Sequence, residues 1–288
     1  MKCLMRALAV PALVFIACPA LAQEAEPAGQ AQAAPRREVS GQLGASVNNA
    51  GLQNTVEVAW TWQVSRSSHP LLSGAHIATG VTHAITPAQT RLGGWIEYAP
   101  LSIVSVRAGI DPTAYFGTFN SLMSFDQYAD PFSKKDRDSH GGARAGTAAK
   151  SFVSPTFRIK AGSLVAMSSA DFEWWRSTAS GALFYEPTRD TLLKSDGDRL
   201  VNTTTVAMIQ RARRGGGTLS AGAIHALTYV FDAPGNKIQK VGVIAVREFA
   251  SPHFHLSHPR VTLVVARYLD DPSKRDQWTA AMAVGFRK

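Results

Sequence analysis

Three histidines and a serine lie close together around residue 255, and these residue types can support hydrolysis or metal binding. If the segment were a strand, His253, His255 and Ser257 would share one face, as a base and a nucleophile must. Ser257 is followed by His258-Pro259, a pair typical of a turn. These histidines do not predict a zinc site either, because no Cys or acidic residue completes a closed ligand set. We therefore predict no catalytic residue, no metal site and no cofactor.

The first 22 residues have the three-part pattern of a secretory signal peptide. Lys2 and Arg6 precede an apolar stretch over 7–17, and Ala20-Leu21-Ala22 supplies small residues at a cleavage site. The apolar stretch is too short to span a membrane as a helix. We expect residues 1–22 to be removed and the mature chain to begin at Gln23.

The rest of the chain combines an ordinary composition with a basic charge. The full sequence is 45% hydrophobic and 18% charged, with a net charge of +9. No stretch after residue 22 approaches the roughly 20 apolar residues that a membrane helix needs, which excludes a polytopic helical membrane protein. Cys3 and Cys18 lie in the predicted signal peptide, so the mature chain cannot form a disulfide. Residues 23–37 are rich in Ala, Gln, Pro and Glu and predict a flexible lead-in. The basic residues are dispersed, which argues against nucleic-acid binding.

From residue 38 to residue 288 the dominant pattern has a period of two. In the last segment Trp278, Met282, Val284 and Phe286 share one face, and small or polar residues occupy the other. Such segments predict about twelve strands, by the template of roughly ten alternating residues per strand. They lie near 38–49, 53–65, 73–86, 90–99, 101–111, 144–167, 171–186, 200–212, 217–231, 237–249, 260–269 and 277–287.

This pattern resembles that of bacterial outer-membrane β-barrel proteins as a class. Tight links alternate with long segments at 112–142 and 187–199, the asymmetry of periplasmic turns and surface loops. The terminal strand ends on the aromatic Phe286, although Arg287 and Lys288 follow it. The resemblance implies one all-β domain, an antiparallel up-and-down barrel over 38–288 in the outer membrane of a Gram-negative cell. It also implies outer-membrane lipid, lipopolysaccharide and the barrel-assembly machinery as partners, the last through the terminal strand.

Aromatic side chains at the strand ends predict the girdles that such barrels place at the two membrane surfaces. The predicted girdle residues are Trp60, Trp62, Tyr98, Trp174, Tyr229, Phe231, Trp278 and Phe286. Phe184 and Tyr185 belong to a dense aromatic and charged region, which we also interpret as outer girdle. The alternative for that region is a binding mouth.

Alternation places a set of charged residues on the inner face. The predicted lumen-lining residues are Arg91, Arg107, Arg158, Lys160, Arg211, Lys240, Glu57, Glu97 and Asp111. Basic residues outnumber acidic ones in this set, and basic rings favour anions in a pore. The alternative is that these charges pair with one another and simply fill the barrel.

The sequence thus predicts a porin-like barrel that is not an enzyme: a passive pore favouring small anions, or a surface-exposed structural or binding barrel. One alternative is a lipid-modifying barrel enzyme. The family pattern of outer-membrane phospholipases, His-x-Ser-Asn-Gly, is only partly matched here, because His258 stands where the Asn is expected after Ser257. The other alternative is a secreted soluble β protein, whose greasy face would point inward.

Overall fold

A computed structural model describes residues 34–48, 51–140, 142–213, 216–233, 235–250 and 258–288. The segment 253–257, with its two histidines and Ser257, and the predicted signal peptide lie outside the described residues. Among the described residues, no helix is long and apolar enough to cross a membrane.

The described chain consists of strands and one short helix. In chain order the elements are β1 (Arg36–Val47), β2 (Gly51–Gln63), β3 (His76–Ile85), β4 (Gln89–Leu101), β5 (Val104–Phe116), β6 (Ser124–Phe125), α1 (Lys134–His140), β7 (Ala145–Ala161), β8 (Leu164–Ser177), β9 (Leu183–Glu186), β10 (Thr191–Lys194), β11 (Asp198–Ala212), β12 (Thr218–Val230), β13 (Lys237–Glu248), β14 (Arg260–Asp270) and β15 (Trp278–Arg287).

Twelve of these strands form a closed antiparallel barrel, which confirms the predicted fold and strand number. Each barrel strand pairs with the next barrel strand along the chain, and β1 closes the ring by pairing with β15. The closing pair runs from Ser40 opposite Arg287 to Val47 opposite Ala280. Closure leaves no strand edge with unpaired backbone groups, which is what a sheet surrounded by hydrocarbon requires.

The predicted boundaries fail at two places. The sixth predicted strand, 144–167, ends early, because Gly162 has a φ of 60° and turns the chain between β7 and β8. Pro155 is accommodated inside β7, where the pairing with β8 has a gap between Val153 and Thr156, since Pro has no N–H to donate. The seventh predicted strand, 171–186, merges the end of β8 with β9, which belongs to a different sheet.

The two long connecting segments lie at one end of the barrel, opposite the end at which β1 begins and β15 finishes. Residues 117–144 join β5 to β7, and residues 178–197 join β8 to β11. We call this end the loop end, and the end where β1 begins and β15 finishes the terminus end. The tight turns between β4 and β5 and between β7 and β8 lie at the terminus end.

The long segments form a small sheet of their own, with strand order β10–β9–β6. In the first segment, α1 begins with a capping box in which the Ser133 amide donates to the Asp136 carboxylate over 3.0 Å and the Asp136 amide donates to the Ser133 hydroxyl over 3.3 Å. We call residues 117–144 and 178–197 together the plug.

The core of the protein lies where the plug meets the inner face of the barrel. Trp175, Leu200 and Val230 project inward from the loop ends of three neighbouring strands and pack with Phe184 and Leu193 of the plug. All five are at most 1% exposed. The opposite face of the same strands carries exposed large hydrophobic side chains such as Phe172 and Ile209. These two observations identify the inner and outer faces of the barrel.

Candidate functional site

The predicted lumen residues other than Arg211 lie on the inner face. Glu57, Arg91, Glu97, Arg107, Asp111, Arg158, Lys160 and Lys240 all share a face with the buried inner residues through the strand registers. What these residues do in the lumen stays a prediction.

Arg211 was expected in the lumen, and that expectation is wrong. Its neighbour Gln210 accepts a hydrogen bond from the inward Lys160, so Arg211 lies on the outer face. It is the residue before the last one of β11, at the terminus end. At such a position the long Arg side chain can extend to the membrane surface, so its charge does not have to face the lumen.

On the wall formed by β2 to β5, a charge cluster surrounds Arg107. The guanidinium donates to Glu57 and Glu97, each over 3.1 Å. It also lies 3.7 Å from the centre of the Trp95 ring, which projects inward across Gly80. His76 approaches the other oxygen of Glu97 at 3.2 Å. This cation is therefore balanced by two acids.

A second, deeper network lies nearer the loop end and connects the barrel to the plug. Lys150 lies between Asp111, at 2.9 Å, and Glu173, at 3.4 Å, and all three side chains are buried. Glu173 also accepts hydrogen bonds from the Trp175 indole, over 2.8 Å, and from Arg189 of the plug. Buried charges are tolerated only when they are paired and hydrogen-bonded in this way.

A third set of contacts fixes the far side of the plug. Asp190 of the plug forms an ion pair with Lys274, from the segment between β14 and β15, and accepts a hydrogen bond from the Tyr185 hydroxyl over 2.6 Å. The Arg137 guanidinium of α1 lies 4.0 Å from the centre of the Tyr185 ring. These contacts tie both long segments to the wall opposite the second network.

Glu186 is the most enclosed carboxylate of the plug, with no exposed surface. It accepts hydrogen bonds from the inward Tyr115 hydroxyl of β5, over 3.1 Å, and from the Thr188 amide, over 3.2 Å. Burial raises the pKa of Glu186 above its ordinary value, although the hydrogen bonds from Thr188 and the nearby charge of Arg91 act in the opposite direction.

The interpretation of Phe184 and Tyr185 as outer girdle is wrong. Both side chains are at most 1% exposed and pack inside the mouth, Phe184 against Trp175 and Tyr185 against Phe132 of the other long segment. The long segment predicted over 112–142 begins at residue 117 and folds inward, with Leu122 and Met123 buried. The two segments therefore pack together inside the barrel at its loop end.

At the terminus end of the lumen, basic side chains donate to neutral oxygens. Arg158 donates to the Ser105 hydroxyl over 3.0 Å and Lys160 to the Gln210 amide oxygen over 2.7 Å. Arg260, on β14, donates to the Gln42 amide oxygen over 3.3 Å. Within the described part of the chain, none of the three cations forms an ion pair. Three lumenal cations without an acidic partner in the described residues therefore lie at the terminus end.

No metal centre is found within the described ranges, where no three His, Cys, Asp or Glu side chains are grouped suitably.

The outer face of the barrel is apolar and carries the predicted aromatic residues. Trp60, Trp62, Tyr98, Trp174, Tyr229, Phe231, Trp278 and Phe286 all lie on this face. Large hydrophobic residues such as Val243 and Ile110 are more than half exposed between them. A closed barrel with an apolar exterior is built for a lipid environment. The protein is an outer-membrane β-barrel.

No protein-family model matches this outer-membrane barrel, and no curated protein matches it. Among solved structures, the β domain of the Bordetella autotransporter BrkA is similar over 88% of this chain and 99% of that chain, with 14% identity and a TM-score of 0.42. OmpT, an outer membrane protein of Vibrio cholerae, is similar over 88% and 100%, with 9% identity and a TM-score of 0.36. Salmonella typhi OmpF, in complex with daunomycin, is similar over 88% of this chain and 96% of that chain, with 7% identity and a TM-score of 0.29.

Sequence reasoning missed the residues that join the plug to the wall. Lys150 and Glu173 alternate in phase with the inner face of their strands, so a consistent face assignment finds them. Arg189 and Asp190 follow no such period, because they lie in the turn between β9 and β10. Their contacts depend on how the long segments fold back, which no local pattern encodes.

Proposed function

We propose that this outer-membrane barrel is a binding barrel and not a through pore: its lumen is closed at the loop end and accessible from the terminus end. The observation that supports this proposal is the fully buried core between plug and barrel. Phe184, Leu192 and Leu193 have no exposed surface in the mouth. Burying each such side chain stabilises the closed state by about 1.5–3 kcal/mol.

The loop end faces the cell exterior in this proposal, and the terminus end faces the periplasm, following the usual asymmetry of short turns and long loops. The unpaired cations Arg158 and Lys160 then face the periplasmic side. The preference for anions expected from the sequence becomes a property of this binding space. Membrane lipid, lipopolysaccharide and the assembly machinery stay the proposed partners of the outer face and of β15.

Accessibility of single cysteines tests the proposal, because the mature chain expected from the sequence contains no cysteine. Met167→Cys places a thiol on the inner face at a position that is 39% exposed, and Leu193→Cys places one in the buried plug. With a membrane-impermeant maleimide, we expect neither thiol to react in intact cells. After the outer membrane is permeabilised, we expect Met167→Cys to react and Leu193→Cys to stay protected.

Planar-bilayer recording supplies the second arm of the experiment. The wild-type protein should show no sustained conductance after insertion. A steady open channel, together with labelling of Met167→Cys in intact cells, would show a continuous pore and overturn the proposal. Anion selectivity of that channel would then support the alternative function, a passive anion pore.

A further inference from the structure

Part of the lumen wall is apolar, although the inner faces of membrane barrels are usually polar. Two rows of paired residues cross neighbouring strands on the inner face. The first runs from Arg158 through Met167 and Val206 to Ile224, and the second runs from Lys160 through Val165, Met208 and Gly222 to Ile244 and Val264. We call Val165, Met167, Val206, Met208, Ile224, Ile244 and Val264 the apolar lumen strip.

The plug does not cover this strip. The plug packs on Leu200, whereas Val206 lies six positions further along β11 towards the terminus end, about 20 Å away at roughly 3.3 Å per residue. Met167 is 39% exposed, and Val165, Met208, Ile224, Ile244 and Val264 are each partly exposed, whereas Val206 is buried. Apolar surface that faces water in a cavity favours an apolar ligand.

Each row begins with a cation that has no acidic partner in the described part of the chain. Arg158 and Lys160 are two residues apart on the inner face of β7, about 7 Å along the strand. Both donate only to neutral oxygens, those of Ser105 and Gln210. A carboxylate is a stronger acceptor for these donors than a hydroxyl or an amide. The site therefore combines an anion-binding end with an apolar strip.

We propose that the lumen at the terminus end binds a long-chain fatty acid, with its carboxylate at Arg158 and Lys160 and its chain along the apolar lumen strip. From β8 to β14 the strip crosses four strand spacings, about 19 Å at roughly 4.8 Å each, which is long enough for an extended acyl chain. This assignment rests on the proposed function, because a lumen closed at the loop end retains such a ligand.

Photocrosslinking tests the site, since the alternation of the strands provides an internal control. The probe is palmitate with a diazirine at the end of its chain, added to the protein in liposomes and mapped by peptide mass spectrometry. Binding in the lumen labels inward residues at the far end of the strip, such as Ile244 and Val264. Partitioning into the bilayer labels their outward neighbours Val243 and Val265. Labelling confined to the outward residues overturns the proposal.

The carboxylate assignment is tested with the double variant R158Q/K160Q. Losing two charge-assisted hydrogen bonds should lower labelling of Ile244 about tenfold or more. The matched control R211Q removes an outward cation from β11, and its labelling should equal that of the wild type. The heat-modifiability shift on gels verifies that each variant is folded.

A hexadecanol analogue with the same diazirine completes the experiment. We expect it to label the lumen at least tenfold less than the palmitate probe does. Equal lumenal labelling by the two probes, or no effect of R158Q/K160Q, overturns the proposal. Conductance of the same preparation separates the two hypotheses: an open channel refutes the closed barrel, whereas a closed barrel labelled only on outward residues refutes the fatty-acid site alone.

Discussion

Replacing Phe184 by Ala should open the mouth of the barrel without unfolding the barrel itself. Phe184 belongs to β9, which pairs with β10 and β6 and not with a barrel strand. Its ring has no exposed surface and packs in one cluster with Trp175 and Leu200 of the wall. Truncation of a buried Phe typically costs about 3–5 kcal/mol. Because this loss falls on the contact between plug and wall, the barrel strands keep their hydrogen bonds.

A loss of that size raises the population of the undocked plug by about 10²- to 4 × 10³-fold, since 1.4 kcal/mol corresponds to a factor of ten. In planar bilayers, Phe184→Ala should therefore show bursts of conductance that the wild type lacks. Phe157→Ala is the matched control, because Phe157 lies on the outer face and is 60% exposed. The heat-modifiability shift should be unchanged in both variants.

A seal formed by the plug is refuted if Phe184→Ala stays silent while hydrogen exchange shows that the amides of β9 and β10 have lost their protection. That result would mean that the plug has undocked without opening a path, and that another part of the chain blocks the lumen. Conductance of equal size in Phe157→Ala would refute it as well, because a change on the lipid face does not touch the plug.

Three further predictions concern single positions. Burial raises the pKa of Glu186 in the folded protein. The contribution of Glu186 to plug stability is therefore fully present below its unfolded pKa of about 4.3, and it is lost as the pH rises towards the folded pKa. Glu186→Gln should abolish this pH dependence of plug stability, measured by hydrogen exchange. Arg107→Ala leaves two inward carboxylates without their shared cation and should cost roughly 1–3 kcal/mol in urea unfolding, and replacing both glutamates by Gln as well should restore most of it. Gly80→Val should cost about 1–3 kcal/mol and disturb the fluorescence of Trp95, because a Cβ there would lie 2.4 Å from the indole, whereas Gly94→Ala, with nothing within 4 Å, should be nearly neutral.

The barrel could be predicted from sequence because the alternation of residue types along each strand indicates both the strand and its two faces. Alternation in β2, with Trp60 and Trp62 on one face and Glu57 on the other, gives both the strand and the two environments. Twelve such segments, together with the tight turns between them, suffice for an up-and-down barrel, because each strand pairs with the next barrel strand along the chain.

The plug could not be predicted in the same way. Its strands are short, and β6 has only the two residues Ser124 and Phe125. Phe184 and Tyr185 have the composition expected of a membrane girdle, and only their long-range contacts place them in the mouth. The pairing of β6 with β9 joins two segments that are distant in sequence, and no local periodicity specifies such a contact.

Alternation also does not tell which face of a strand is inward where both faces are mixed. In β11, Val206 and Met208 lie on the inner face, whereas Thr203 and Thr205 lie on the outer face. Hydropathy alone would assign the apolar pair to the lipid and the threonines to the lumen. The phase is fixed instead by Leu200, which is fully buried against the plug. The apolar lumen strip therefore could not be predicted by assigning apolar residues to the lipid-facing side.

The pairing of the lumenal charges agrees with the proposed closure at the loop end. Near the loop end, Lys150 is buried and has two acidic partners, as a dry environment requires, because an unpaired buried charge is costly. At the terminus end, Lys160 is exposed and donates to a neutral oxygen, which is tolerable only where water or a ligand solvates the ammonium group. A continuous aqueous pore would remove the reason for this difference between the two ends. The contrast is the one expected of a barrel that is wet from one side and sealed from the other.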